Sequence, residues 1–148
     1  MRSAQSSLDC APLMDPTNPS APLSRSLRVL VVDDNEDVAE MTAEMLKMYG
    51  HEAMTASDGP SALSVVASEQ PDVVLLDLGL PGMHGLEVAE TLRASTDRLI
   101  PLLIAVSGYG RPEDRERSRL AGCAHHLVKP VDFDRLLALL ATQSPALR

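Results

Sequence analysis

The residues of this chain that could do chemistry stand where apolar runs end. They are two adjacent carboxylates, a third carboxylate, a hydroxyl and an amine: Asp33, Asp34, Asp77, Ser107 and Lys129. Three carboxylates near one point repel one another, and a hard divalent cation relieves that repulsion. Oxygen ligands without histidine or thiol partners suit Mg²⁺. An amine and a hydroxyl can hold phosphate oxygens, so the set could transfer a phosphoryl group onto an aspartate.

The stretch around Asp77 is the most informative part of the chain. Residues 73–76 read Val-Val-Leu-Leu without polar alternation, which indicates a strand buried on both faces. Asp77 ends the run, and a loop rich in glycine and proline follows it, from Gly79 to Gly85. In open α/β sheets chemistry occurs at the carboxyl ends of strands. Taken alone, Asp77 could equally be a turn or capping residue, because aspartate is common in turns.

Four further apolar runs alternate with amphipathic segments, which predicts five parallel β-α units with right-handed crossovers. Helices are predicted to begin at Asn35, Asp58 and Asp132, since these side chains can cap a helix. Because all strands of such a sheet end on one edge, four of the five strand ends bring polar groups together there. We interpret that edge as a functional site. The predicted strands cover residues 27–32, 51–56, 73–76, 102–106 and 126–128.

The first predicted helix carries a series of large apolar residues at three- and four-residue steps before Gly50 ends it. We expect this series to face the core, with its methionines as filler. The series consists of Val38, Met41, Met45, Met48 and Tyr49.

Composition divides the 148 residues into one domain and two tails. Residues 1–26 are rich in serine and proline and predict a disordered tail, residues 27–143 predict a single domain, and residues 144–148 form a second tail. The net charge of -8 argues against nucleic acid and against anionic membranes as partners. With no signal peptide and no apolar run near the ~20 residues that span a bilayer, we expect a cytoplasmic protein.

Four motifs give the chain a specific resemblance: V-V-D-D-N (31–35), L-L-D-L-G-L-P-G-M-H-G (75–85), S-G (107–108) and L-V-K-P (127–130). Over residues 27–142 it resembles the CheY-like receiver domain of two-component response regulators, and residues 125–132 are similar to receivers of hybrid sensor histidine kinases. The resemblance implies a flavodoxin-like, doubly wound (βα)5 parallel sheet in the order 2-1-3-4-5. It also implies a signalling domain that takes a phosphoryl group from a sensor histidine kinase or a histidine phosphotransfer protein.

The resemblance implies a role for each site residue. Asp77 would be the phosphoacceptor, and Mg²⁺ would be bound by Asp34 directly, by Asp33 largely through water, by Asp77, and by the carbonyl group of Gly79. The phosphoryl oxygens would be held, and the switch made, by Ser107, Gly108, Lys129 and His126. The Lys129–Pro130 bond would be cis, which is plausible independently because only bonds before proline tolerate that form cheaply.

Two positions depart from the family pattern. A larger polar residue often stands where this chain has Gly79, which bears on the lifetime of the acyl phosphate. An aromatic residue usually stands where it has His126. An imidazole would fill less space, so we expect a shallower switch that depends on pH over about 6 to 7. The alternative is that His126 points to solvent and has no part in the switch.

Three functions stay open at this stage. The first is a single-domain response regulator that is not an enzyme beyond self-phosphorylation and autodephosphorylation, with a protein-binding surface as its output. The second is a haloacid-dehalogenase-like phosphatase, which would want a second aspartate at position 79, where Gly79 stands. The third is a phosphorylation-independent structural receiver, which would be expected to have lost one of the acidic residues or Lys129.

Overall fold

A computed structural model describes residues 26–80, 82–94, 100–108 and 110–143. The two predicted tails, residues 1–26 and 144–148, lie outside these ranges except for Ser26, so their disorder stays a prediction. Within the described ranges, no helix has the length and apolar character that crossing a membrane requires.

Five strands alternate with five helices along the chain, and the strands form one parallel sheet in the order β2-β1-β3-β4-β5. This order confirms the flavodoxin-like, doubly wound fold. The strands are β1 (Arg28–Val32), β2 (Glu52–Ala56), β3 (Val73–Asp77), β4 (Leu102–Ser107) and β5 (His125–Val128). The helices are α1 (Glu36–Met48), α2 (Gly59–Glu69), α3 (Gly85–Ala94), α4 (Pro112–Leu120) and α5 (Phe133–Ala141).

The sheet is apolar on both faces because helices cover both faces. Alternate residues of a strand point to opposite sides, so Val73 and Leu75 of β3 join the core under α1 and α5, whereas Val74 and Leu76 join the core under α2 and α3. Every residue of β3 is buried as a result. Full burial of such a side chain stabilises the fold by roughly 1.5–3 kcal/mol. The central strand is therefore a rigid support for the carboxylate at its end.

The three predicted helix caps are confirmed. The side chain of Asn35 accepts from the Val38 amide at 3.2 Å, and that of Asp58 accepts from the Ser61 amide at 2.8 Å. Asp132 does the same for the first turn of α5. Each cap satisfies an amide that has no partner inside the helix and contributes about 1 kcal/mol.

The predicted inner face of α1 is wrong. Met41 and Met48 are 58% and 81% exposed, whereas the helix meets the sheet through Ala39, Ala43 and Leu46. Both series have helical spacing, and the residues of one lie one or two positions from those of the other. The alanine face lets the helix axis approach the sheet closely, which the longer methionine side chains would prevent.

Candidate functional site

Two aspartates meet at the carboxyl edge of the sheet because neighbouring strands end together. Val32 pairs with Leu76 in the register of β1 and β3, so Asp33 and Asp77 come next on the two strands. On the other side of β3, Asp77 pairs with Val106, and Ser107 ends β4 one residue further. The Lys129 amide donates to the Ser107 carbonyl oxygen at 2.8 Å, which brings the end of β5 to the same edge.

The three predicted carboxylates form one cluster. Asp33, Asp34 and Asp77 each offer an oxygen, and these oxygens all lie within 4.8 Å of one another. Asp33 and Asp77 are only 6% and 5% exposed, whereas Asp34 is exposed. Among the described residues, this trio is the group of acidic, histidine or cysteine side chains that could hold a metal ion.

Lys129 reaches across two members of this cluster. Its Nζ lies 3.0 Å from Asp77 Oδ2 and 3.4 Å from Asp33 Oδ2. Partial burial alone would lower the pKa of Lys129, but the hydrogen bond to Asp77 and the charges of both carboxylates outweigh it, so that pKa is raised. The peptide bond from Lys129 to Pro130 is cis, as predicted.

The pKa of Asp33 reflects burial first and the surrounding hydrogen bonds and charges second. Burial raises its pKa first, the hydrogen bond from the Asn35 amide at 2.9 Å lowers it, and the nearby Asp77 charge raises it again. The net effect is a raised pKa, despite the attraction of Lys129. A site that disfavours its own negative charge, built from carboxylate oxygens alone, fits a divalent cation such as Mg²⁺.

Glycines shape the space around Asp77. The Gly79 amide donates to Asp77 Oδ1 at 2.9 Å, which orients the carboxylate. At Gly108, a Cβ atom would have no heavy-atom neighbour within 4 Å, so its backbone is open to the cleft. Gly85 is different, since a Cβ there would lie 2.5 Å from the Asp77 carbonyl oxygen. Only glycine lets α3 begin this close to the end of β3.

An open cleft of about 380 Å³ lies over the cluster. It collects six of the predicted site residues, together with His84, Asp114 and Arg117 among others. Asp33 is buried beside it. The six are Asp34, Asp77, Gly79, Ser107, Gly108 and Lys129.

His126 does not point to solvent, so that alternative is wrong. It is 8% exposed, and its Nε2 lies 2.7 Å from Ser107 Oγ. Its other ring nitrogen lies 3.0 Å from the hydroxyl oxygen of Ser118, a residue that the sequence reasoning missed. The available signal was composition, because Ser118 is the one small polar residue in the charged run of α4, and it is 1% exposed.

His51 and His84 accept hydrogen bonds from nearby backbone amides. His51 Nδ1 accepts from the Leu27 amide at 3.2 Å, far from the cleft, and burial lowers the pKa of His51. His84 Nδ1 accepts from the Leu86 amide at the start of α3.

Comparison with known proteins identifies the family. The family model of the response regulator receiver domain matches residues 29–141. The chain is 30% identical over 109 residues to sporulation initiation phosphotransferase F of Bacillus subtilis, covering 74% of this chain and 86% of that protein. It is 39% identical over 114 residues to the response regulator PleD of Caulobacter vibrioides, covering 76% of this chain but 25% of PleD.

Solved structures agree with this family. The chemotaxis protein CheY4 of Vibrio cholerae superposes with a TM-score of 0.74 at 28% identity, over 80% of this chain and 98% of that one. The receiver domain of the Saccharomyces cerevisiae response regulator Ssk1, solved with the histidine phosphotransfer protein Ypd1, gives 0.71 at 22% identity over 78% and 86%. The latter likeness concerns the fold alone.

The chain therefore belongs to the receiver-domain family of two-component response regulators. Receiver domains are signalling domains that take phosphoryl groups from histidine kinases or phosphotransfer proteins and bind Mg²⁺ at an acidic cluster. This chain has such a cluster in Asp33, Asp34 and Asp77.

Proposed function

We propose that this protein accepts a phosphoryl group from a phosphohistidine onto Asp77 in a Mg²⁺-dependent step. The observation that carries the proposal is the position of the Asp77 carboxylate. It ends the buried strand β3, it opens into the cleft, and it lies next to two further carboxylates and 3.0 Å from the Lys129 amine. A nucleophile held on a rigid strand is well placed for in-line attack on a bound phosphoryl group.

The ion would be held by carboxylate oxygens of Asp33, Asp34 and Asp77 and by the carbonyl oxygen of Gly79. Asp33 is tied through Oδ1 to the Asn35 amide and through Oδ2 to Lys129, whereas Asp34 is exposed at the cleft. Asp34 would therefore be the direct ligand, and Asp33 would act largely through water. When bound, Mg²⁺ supplies positive charge near the phosphoryl oxygens.

The remaining groups hold the transferred phosphoryl group. An Asp77 oxygen forms a bond to phosphorus while the bond from phosphorus to the donor imidazole breaks, and the imidazole leaves with the electron pair. Lys129 turns from Asp77 Oδ2 to a phosphoryl oxygen. The Ser107 hydroxyl and the Gly108 amide donate to the others. These donors lie on β4, β5 and their loops, so the modification ties three strand ends together.

The donor is a sensor histidine kinase or a histidine phosphotransfer protein. The Ssk1 receiver in complex with Ypd1 is a neighbour in fold and an example of such a pairing. The output is a protein-binding surface that changes on phosphorylation, in a single-domain regulator that works in the cytoplasm. The net charge of -8 disfavours nucleic acid as the direct partner.

The decisive experiment is phosphoryl transfer from a ³²P-labelled kinase or phosphotransfer protein, with Mg²⁺ and with EDTA. We expect about one phosphoryl group per chain with Mg²⁺ and none with EDTA. Multiple turnover of small phosphoesters would instead support a haloacid-dehalogenase-like phosphatase. A panel of donors that labels a known receiver but not this chain would support a structural receiver.

A Mg²⁺ titration tests the ligand order. Asp34→Ala should weaken binding by about tenfold or more, and Asp33→Ala should weaken it less, because only Asp34 is proposed to touch the ion. Equal losses would show that the order is wrong. Glu40→Ala, which removes an exposed charge from α1, controls for the loss of negative charge alone.

A further inference from the structure

Hydrogen bonds join the end of β4 to helix α4 through the imidazole of His126. Ser107 Oγ lies 2.7 Å from Nε2, and Ser118 Oγ lies 3.0 Å from Nδ1. Ser118 Oγ also donates to the Arg115 carbonyl oxygen at 2.9 Å. All three side chains of this relay are buried, with exposures of 9% for Ser107, 8% for His126 and 1% for Ser118. The relay leads from the cleft to the backbone of α4.

The relay has a direction because each hydroxyl group carries one proton. Because the Arg115 carbonyl oxygen can only accept, we assign the Ser118 proton to that hydrogen bond, and with this assignment Ser118 accepts from His126. Nδ1 must then carry the imidazole proton, and in the neutral ring Nε2 is left as an acceptor. The Ser107 hydroxyl consequently donates to Nε2 and points its proton into the protein.

That direction competes with the role proposed for Ser107. To hold a phosphoryl oxygen, the Ser107 hydroxyl must donate into the cleft, and the same proton cannot also donate to His126. The resting relay therefore opposes the phosphorylated arrangement. If the imidazole carried its proton on Nε2 instead, it would donate to Ser107 Oγ, and the Ser107 hydroxyl could then turn its proton toward the phosphoryl group.

We propose that Ser118 is a positioning residue of the switch. By accepting from Nδ1–H, it selects the imidazole tautomer that keeps the Ser107 hydroxyl turned away from the phosphoryl site. Ser118 thereby sets how readily the site changes to the phosphorylated arrangement, and it makes the backbone of α4 part of that equilibrium. The proposal rests on the proposed function, because it assumes that Ser107 binds the phosphoryl group on Asp77.

The test uses Ser118→Ala, which removes the acceptor and leaves the helix backbone unchanged. The ¹⁵N shifts of the His126 ring, measured without Mg²⁺, should show Nδ1 protonated in the wild type and a shift toward the Nε2–H tautomer in the variant. With Mg²⁺ present, the variant should bind beryllofluoride, a mimic of the phosphoryl group, about fivefold more tightly. That factor is the change expected from one net hydrogen bond of about 1 kcal/mol.

Two variants serve as controls. Ser68→Ala removes a similar hydroxyl contact to the carbonyl three residues earlier, on the exposed surface of α2, and should change neither reading. Ser118→Thr keeps a hydroxyl group and should restore the wild-type tautomer and affinity.

The outcomes separate this proposal from the one on which it rests. If the wild type binds beryllofluoride and Ser118→Ala behaves like Ser68→Ala in either the ¹⁵N shifts of His126 or the beryllofluoride affinity, the proposal for Ser118 is wrong. The proposed function then stands. If the wild type does not bind beryllofluoride at all, the proposed function is wrong and the role of Ser118 falls with it.

Discussion

Strand β3 has a buried carboxylate at each end, and the two are held in different ways. Asp72 precedes the strand and is 9% exposed, and Asp77 ends it and is 5% exposed. Asp72 Oδ2 accepts from the Arg28 amide at 2.8 Å, while its own backbone exchanges hydrogen bonds with Arg28 and Leu102. Asp72 thus adds hydrogen bonds to the sheet just before β3 begins, and it links β3 to β1 and β4.

Asp77 sits among charges instead. Its carboxylate accepts from the Gly79 amide and from Lys129, but two further carboxylates lie close by. The hydrogen bonds at the amino end of β3 stabilise the sheet, whereas the carboxylates at its carboxyl end repel one another, and a bound cation would relieve that repulsion. Burial alone does not distinguish a structural carboxylate from a functional one, but the partners of its oxygens do.

The largest expected effect is on phosphoryl labelling, and it distinguishes the two ends of β3. Asp77→Asn should abolish labelling by a phosphorylated donor, since it removes the nucleophile and keeps the shape, while Asp72→Asn should label normally. Labelling stoichiometry, together with circular dichroism to confirm folding, measures this. Undiminished labelling of Asp77→Asn would place the acceptor elsewhere.

Lys129→Ala should affect the switch more than the chemistry. The nucleophile and the metal ligands remain, so labelling should fall by less than about threefold. The active-state population should fall by about tenfold, because one charge-assisted hydrogen bond is lost. NMR of the beryllofluoride-loaded protein measures that population, and Lys47→Ala on the exposed side of α1 is the matched control. A normal active-state population in Lys129→Ala would contradict this role.

At the opposite end, Asp72→Ala should destabilise the fold by about 2 kcal/mol, because the Arg28 amide loses its acceptor inside the protein. Urea denaturation measures the free energy of unfolding. Asp72→Asn keeps an acceptor oxygen and should recover more than half of the loss. Equal losses in both variants would mean that the charge of Asp72, not its hydrogen bond, is what matters.

Removing the charge of Asp33, at the carboxyl edge of the sheet, should raise the free energy of unfolding, whereas Asp72→Ala should lower it. The pKa of Asp33 is raised in the folded protein, so its contribution to stability falls as pH rises from below 3.8 through the raised value. Asp33→Asn should therefore stabilise the metal-free protein at pH 7, by roughly 1 kcal/mol or a few degrees in melting temperature. With saturating Mg²⁺ the wild type should regain the advantage. A destabilised variant in EDTA would show that Lys129 fully balances the cluster.

The smallest effect concerns His51, near Asp72 at the amino edge. Burial lowers its pKa below the ordinary 6.5, so the unfolded chain takes up the proton first. The contribution of His51 to stability should be constant above about pH 6.5 and fall by roughly 0.5 kcal/mol toward pH 5. His51→Asn keeps an acceptor for the Leu27 amide and should make the unfolding free energy flatter over that range. Parallel curves for the two proteins would exclude His51 as the cause.

The sequence by itself determined the alternation of strands and helices, the helix caps and the carboxylate cluster. These follow from local rules. An unbroken apolar run is a buried strand, a capping side chain acts within three residues, and parallel strands carry their ends to one edge. The residues at those ends were therefore predictable without knowing how the helices pack.

Only the tertiary structure decided which groups packing would bring into contact. Periodicity describes the faces of α1 but does not say which face meets the sheet. The face with the small residues Ala39 and Ala43 packs against the sheet, because these side chains allow a closer approach than the methionines do. His126 has partners 19 and 8 residues away, at Ser107 and Ser118, and these meet only once α4 packs against the end of the sheet. Hydrogen bonds between separate elements depend on distances of a few tenths of an ångström, which no local pattern in the sequence encodes.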